Sequence, residues 1–215
     1  MSRTVLLTGF EPFDGQVANA SWDAVRAVAQ GWDRDEQVVV ARLPVSFRGA
    51  RQRLRDAVRE HAPDVVVLVG EAGGRSAVGV ERVALNVIDA RIPDNDGSAP
   101  VDVPVVAGGP TALLSGLPVK ACLAAVRAAG VPAEVSNTAG TYVCNATFYA
   151  LMHLLACSPG LPGVRGGLVH VPRDVAQVRP GEASLPVGQS AVALWAVLGA
   201  CLDGSEITMA AGSEA

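Results

Sequence analysis

Residues 64–70, DVVVLVG, set five aliphatic side chains in a row between an acid and a glycine. With no polar face in the run, a strand here has to be covered on both sides, as inner strands of parallel sheets are. Val-rich runs recur at 4–10 (TVLLTGF), 38–45 (VVVARLPV), 133–138 (AEVSNT) and 167–172 (GLVHVP). Helical patterns separate them. In residues 46–62 the positions Phe47, Ala50, Leu54, Ala57, Val58 and His61 fall near a 3.6 period, with Arg, Asp and Glu opposite. Val119, Cys122, Leu123 and Val126 repeat at helical spacing after Pro118 and stop before Gly130, and residues 187–202 form a more apolar helix. Strands alternating with helices predict an α/β fold: a single-domain three-layer α/β/α sandwich with a mostly parallel, twisted central sheet.

That domain is expected to span residues 1–208, with a frayed tail at 209–215. Residues 79–90, GVERVALNVIDA, alternate rather than periodise and read as an irregular hairpin-like insertion. Pro and Gly mark loops at 93–100, 158–167 and 179–186.

A chain of 215 residues, half of them hydrophobic, can bury one substantial core. Its net charge of -4, with 17 scattered Lys and Arg, gives no surface for tracking a phosphate backbone, so nucleic acid is not an expected partner. The opening MSRTVLLTGFEPF carries a short apolar run broken by Gly9, Glu11 and Pro12, too short for a signal core or a membrane span. The expected location is cytoplasmic, with no membrane partner. Cysteines at 122, 144, 157 and 201 show no CxxC pair and no His at ligand spacing, which argues against a zinc site or a disulfide framework. No metal or cofactor is expected, and free thiols remain for packing or catalysis.

Cys122 and Cys201 sit in apolar helical stripes and Cys157 ends a helical pattern; all three read as packing. Cys144 differs. In SNTAGTYVCNATFYALMHLLA, residues 136–156, it stands where a Gly-containing turn meets a helix. Unpaired N–H groups and the positive end of the dipole favour an anion there. With an imidazole nearby, such sites lower cysteine pKa values from about 8.5 to roughly 3.5–7.5. The same N–H groups can hold the oxyanion of an attacked carbonyl, which contributes on the order of 3 to 4 kcal/mol.

A thiol cleaving an amide also needs a proton carrier. Three histidines are available. His61 ends a surface helix, and His153 would lie on the opposite helix face, roughly 13 Å along from Cys144. His170, near the C-terminal end of a strand, occupies the edge where open α/β sheets build ligand sites. Glu81, Asp89 or Asp94 could orient it, and position alone does not choose. The residues thus point to a Cys/His amide hydrolase of open substrate.

Four blocks carry a resemblance: VLLTGFEPFDG (5–15), VGVERVALNVIDARIPDNDG (78–97), VSNTAGTYVCN (135–145) and GGLVHVPR (166–173). In order and spacing they resemble the pyroglutamyl peptidase type I family, cysteine peptidases that remove an N-terminal pyroglutamyl residue. The resemblance implies Cys144 as nucleophile, His170 as its partner and Glu81 as the acid. It implies Arg91 near the oxyanion, with Phe10, Phe13, Ile92, Tyr142 and Val143 around the lactam ring. Pyroglutamyl peptides are then the substrates, and a homo-oligomer, dimer or tetramer, is expected. A catalytically silent pyroglutamate-binding homologue, or a thiol-dependent amidase of other acyl specificity, is the alternative. The chain departs from the family in Tyr142, often Phe, whose hydroxyl needs a partner, and in Glu71, often Gln, whose charge is expected to weaken ring binding.

Overall fold

In the computed structural model, which describes residues 2–158 and 160–212, the run at 64–70 becomes an inner strand whose side chains divide between two cores. The strands are β1 (Thr4–Phe10), β2 (Gln37–Leu43), β3 (Val65–Ala72), β4 (Val78–Glu81), β5 (Val83–Leu85), β6 (Ala112–Leu114), β7 (Ala133–Ser136) and β8 (Arg165–Pro172). Six of them form one sheet in the order β2-β1-β3-β8-β4-β7. Every neighbouring pair is parallel except β4 and β8, which run antiparallel. The mostly parallel sheet is therefore observed, with one reversed seam.

Five helices cover it: α1 (Ala20–Gly31), α2 (Gly49–His61), α3 (Val119–Ala128), α4 (Val143–Cys157) and α5 (Val187–Asp203). Because strand side chains alternate faces, Val65, Val67 and Val69 of β3 pack with α1, α3 and α5, whereas Val66 and Leu68 pack with α2 and α4. β1 divides the same way, Val5 and Leu7 to one core and Leu6 and Phe10 to the other. This two-sided burial is the physical reason the run has no polar position.

Local chemistry sets the helix ends. Asn19 caps α1, its side chain accepting the Ser21 N–H at 3.0 Å. Gly204, at φ 76°, ends α5 in the left-handed conformation. Gly140, at φ 75°, makes the turn that precedes α4.

Three expectations need correction. Residues 79–90 are not one insertion: β4 joins the central sheet, while β5 turns away to pair antiparallel with β6, nearly thirty residues further on. The tail is pinned at its start, since Lys120 Nζ donates to the Met209 carbonyl at 2.6 Å and Met209 and Ala211 pack on the core; residues 213–215 of that tail lie outside the described residues. Cys157, read as packing, is exposed, 3.7 Å from His153 Nε2.

Candidate active site

β8 carries Leu168 into the core under α4, and His170, two residues on, faces the same layer. On each side of His170 the register places a glycine: Gly70 on β3 and Gly79 on β4. Both leave room for the row beside them, and at Gly70 the space is closed to any side chain. A Cβ on Gly70 would stand 2.7 Å from His170 Cδ2, 2.8 Å from its Nε2 and 3.0 Å from Cys144 Sγ. Both reactive atoms thus crowd the space left by one missing side chain. A Cβ on Gly79 would meet Arg75 Nη1 at 2.6 Å.

His170 is 4% exposed, and its Nδ1–H donates to Glu81 Oε1 at 2.8 Å. Glu81 lies on β4, fully buried, and the same oxygen accepts from Arg75 Nη1 at 3.0 Å. Burial opposes charge on the imidazole, but hydrogen bonds to Cys144 and Glu81, and the negative charge of both, outweigh it and raise the pKa to about 9. Geometry also separates the three acids left open by position. Asp89 is exposed, and Asp94 is spent on backbone, accepting the N–H groups of Asp96 and Ser98 in its own loop and of Phe47 before α2. Only Glu81 meets His170.

Cys144 is the second residue of α4, part-exposed, behind a residue, Tyr142, that gives no side-chain cap. The first N–H groups of the helix therefore point outward without intrahelical acceptors. Asn145 anchors this turn from behind: its carbonyl accepts the Leu85 N–H at 2.9 Å, and its amide donates to the carbonyls of Leu85 and Val87 at 2.9 and 3.0 Å.

Beside the sulfur, Phe10, Phe13, Tyr142, Val143 and Cys144 line a small, narrow pocket, together with Asn19, Val45 and Glu71. Tyr142 packs edge-on against Phe47 at 5.3 Å and lies 6.1 Å from Phe13. Its hydroxyl finds the partner it needs by donating to the Pro93 carbonyl at 2.9 Å, and burial, with Asp94 nearby, pushes its pKa up to about 12. Ile92 and Arg91 do not join this pocket. They line the adjoining cleft, which shares Phe13 and Tyr142 with it, and Arg91 is exposed with no hydrogen-bond or ion-pair partner among the described residues.

Glu71 is not the isolated charge the sequence suggests. Its carboxylate accepts the Ala20 N–H at 2.7 Å, Gln177 Nε2 at 2.8 Å and Arg173 Nε at 3.1 Å. It closes the N-terminus of α1, where the helix dipole favours an anion.

Sequence reasoning missed Asn19, Val45, Arg75 and the two glycines. The glycines carried a legible signal, since Gly inside a strand marks a close approach. The others sit where only tertiary contact reveals them.

A thiol at a helix N-terminus, an imidazole and a buried carboxylate, joined in a row at the edge of an α/β sheet, define a cysteine peptidase class of protein. Within that class the comparisons are specific. The family model for pyroglutamyl peptidase matches residues 3–201. The pyrrolidone-carboxylate peptidase of Clavibacter michiganensis is 51% identical over 212 residues, 98% of each chain, and that of Streptomyces coelicolor is 52% identical over 197 residues, 91% of this chain and 90% of the other. The crystal structure of pyroglutamyl peptidase I from Bacillus amyloliquefaciens superposes with a TM-score of 0.92 at 39% identity, covering 98% of this chain and all of that one. The chain belongs to the pyroglutamyl peptidase family.

Proposed function

We propose that the protein hydrolyses the amide bond after an N-terminal pyroglutamyl residue through an acyl-enzyme on Cys144. The row from Cys144 through His170 to Glu81, opening on a small apolar pocket, is the observation that carries this reading. Phe10, Phe13, Tyr142 and Val143 flank the lactam ring, which is neutral and needs an apolar slot rather than a counter-charge. Cys144 sulfur bonds to the acyl carbon, and the carbonyl oxygen takes the negative charge at the first turn of α4. Collapse breaks the C–N bond while His170 Nε2–H protonates the leaving amine. The now neutral imidazole takes a proton from water, whose oxygen replaces sulfur, and pyroglutamate leaves. Glu81 keeps Nδ1 protonated throughout, so that Nε2 is the nitrogen that exchanges protons with the reaction. Arg91 and Ile92, lining the neighbouring cleft, are assigned to the peptide side of the scissile bond, with Arg91 also within the family pattern for the oxyanion.

The substrates are peptides bearing N-terminal pyroglutamate. A homo-oligomer, dimer or tetramer, is proposed on family resemblance. A cytoplasmic location is proposed because four unpaired thiols suit a reducing compartment; among the described residues no helix is long and apolar enough to cross a membrane.

The test is turnover of a pyroglutamyl anilide. Iodoacetamide should stop it and EDTA should not, and Cys144→Ala should lower kcat by about 10³-fold or more. Full activity in that variant would reject the mechanism. Binding of pyroglutamate without turnover would identify a silent homologue, and comparable kcat/KM on a prolyl amide would identify a broader amidase, because a site bonded to the ring amide rejects the analogue lacking it.

A further inference from the structure

Glu81 is wholly buried, yet only one of its oxygens is used. Oε1 accepts from both His170 Nδ1 and Arg75 Nη1, while Oε2 has no hydrogen-bond partner among the described residues. A carboxylate in that setting holds its charge only if a cation offsets the lost hydration. Arg75 supplies it from the connection between β3 and β4, its side chain 28% exposed. It reaches the acid across Gly79, whose missing Cβ leaves the passage. Its second terminal nitrogen, Nη2, donates at 3.5 Å to the carbonyl of Thr138, in the loop that leads to Cys144.

Counted outward from the sulfur in its reactive form, the row reads thiolate, imidazolium, carboxylate, guanidinium: four alternating charges with a sum of zero. Without Arg75 the same row carries a net negative charge in a buried site. The other charged pair at this sheet edge, Glu71 with Arg173, neutralises itself at 3.1 Å.

We propose that Arg75 is a positioning residue, a fourth member of the row that fixes Glu81 Oε1 under His170 and supplies the balancing charge for a reactive thiolate. Its hydrogen bonds go to Glu81 and to the Thr138 carbonyl, so its effect passes through the acid and through the Thr138 loop. The inference rests on the hydrolase reading above.

The experiment compares Arg75→Met and Arg75→Lys with the parent protein across the pH profile of kcat/KM on a pyroglutamyl anilide, alongside iodoacetamide alkylation rates and thermal midpoints. Arg75→Met should lower kcat by about 10- to 100-fold with KM within about twofold. Removal of a fixed positive charge raises the pKa of every group near it, so both limbs of the profile, the alkaline one near pH 9 in the parent, should move up by about one pH unit. Arg75→Lys, which keeps the charge, should leave both limbs within about 0.3 units of the parent while recovering part of kcat, and guanidinium ion should raise the rate of Arg75→Met. Parent-like kcat and limbs in Arg75→Met would overturn the proposal, as would a lower rate or midpoint with unmoved limbs, which marks a merely structural arginine. Parent-like behaviour of Arg75→Met beside an inactive Cys144→Ala sinks this inference alone; an active Cys144→Ala sinks the reading beneath it.

Discussion

At the scale of single residues the site is governed as much by atoms that are missing as by those present. Gly70 and Gly79 face His170 from both neighbouring strands, and each leaves open a volume that the reactive row occupies. A methyl on Gly70 has no flexible neighbour to push aside, because the ring of His170 is held by Glu81 and the sulfur by the start of α4. Gly70→Ala should therefore displace imidazole from thiol and lower kcat by about 10²-fold or more, while overpacking costs about 1 to 3 kcal/mol of stability. Steady-state kinetics beside a urea titration checks this; a variant with parent kcat would show that the strand relaxes around the added carbon. Cys144 and His170 were legible because their sequence neighbours announce a helix start and a strand end. Glu81 was not separable from Asp89 and Asp94 by position, since what distinguishes it is the antiparallel pairing of β4 with β8, a contact across almost ninety residues.

At the scale of elements, α4 is the piece that must not move, and its first turn is tied down by Asn145 rather than by an N-cap side chain. Asn145 is fully buried and makes three hydrogen bonds to the backbone of 85–87, joining the helix to β5. Replacement by Ala would leave one N–H and two part-buried carbonyls without these partners. Asn145→Ala is expected to lose about 2 to 4 kcal/mol, read as a lower urea midpoint at unchanged slope, with reduced kcat because Cys144 is its neighbour. An unchanged midpoint would mean that water replaces the amide without loss. The short elements β4, β5 and β6 escaped sequence reading for a related reason: strands of three or four residues owe their form to distant partners. α1 was also unread, although Asn19 caps it and Ala20, Ala24, Val25 and Val28 share a face; a buried stripe made half of alanine gives a weak hydropathy signal. The Val-rich strands and the helices at α2, α3 and α5 were legible because their burial pattern is written in residues large enough to show a period.

At the scale of the whole molecule, the row at the sheet edge and the helix layer behind it couple folding to pH in two separate windows. His170 has a folded pKa of about 9 against 6.5 for the free side chain, so the native state holds its proton more tightly than the unfolded chain does. Its contribution is complete below about pH 6.5, shrinks as pH rises, and is gone above about pH 9; at full strength it is worth about 3 kcal/mol. On the opposite face, Cys122 lies 3.7 Å from Cys201 Sγ, between α3 and α5. Its shared hydrogen bond and its burial raise the thiol pKa well above 9, so above that pH the unfolded chain ionises while the folded thiol keeps its proton. Both effects remove stability in the same direction, one from about pH 6.5 to 9 and the other beyond. Urea midpoints taken from pH 6 to 10.5 should fall through the whole range. His170→Gln should flatten the lower window and leave the upper, and Cys122→Val should flatten the upper and leave the lower. A parent midpoint that stays level from pH 6 to 9 would mean that folding adds no net proton to the row, which rejects the lower window.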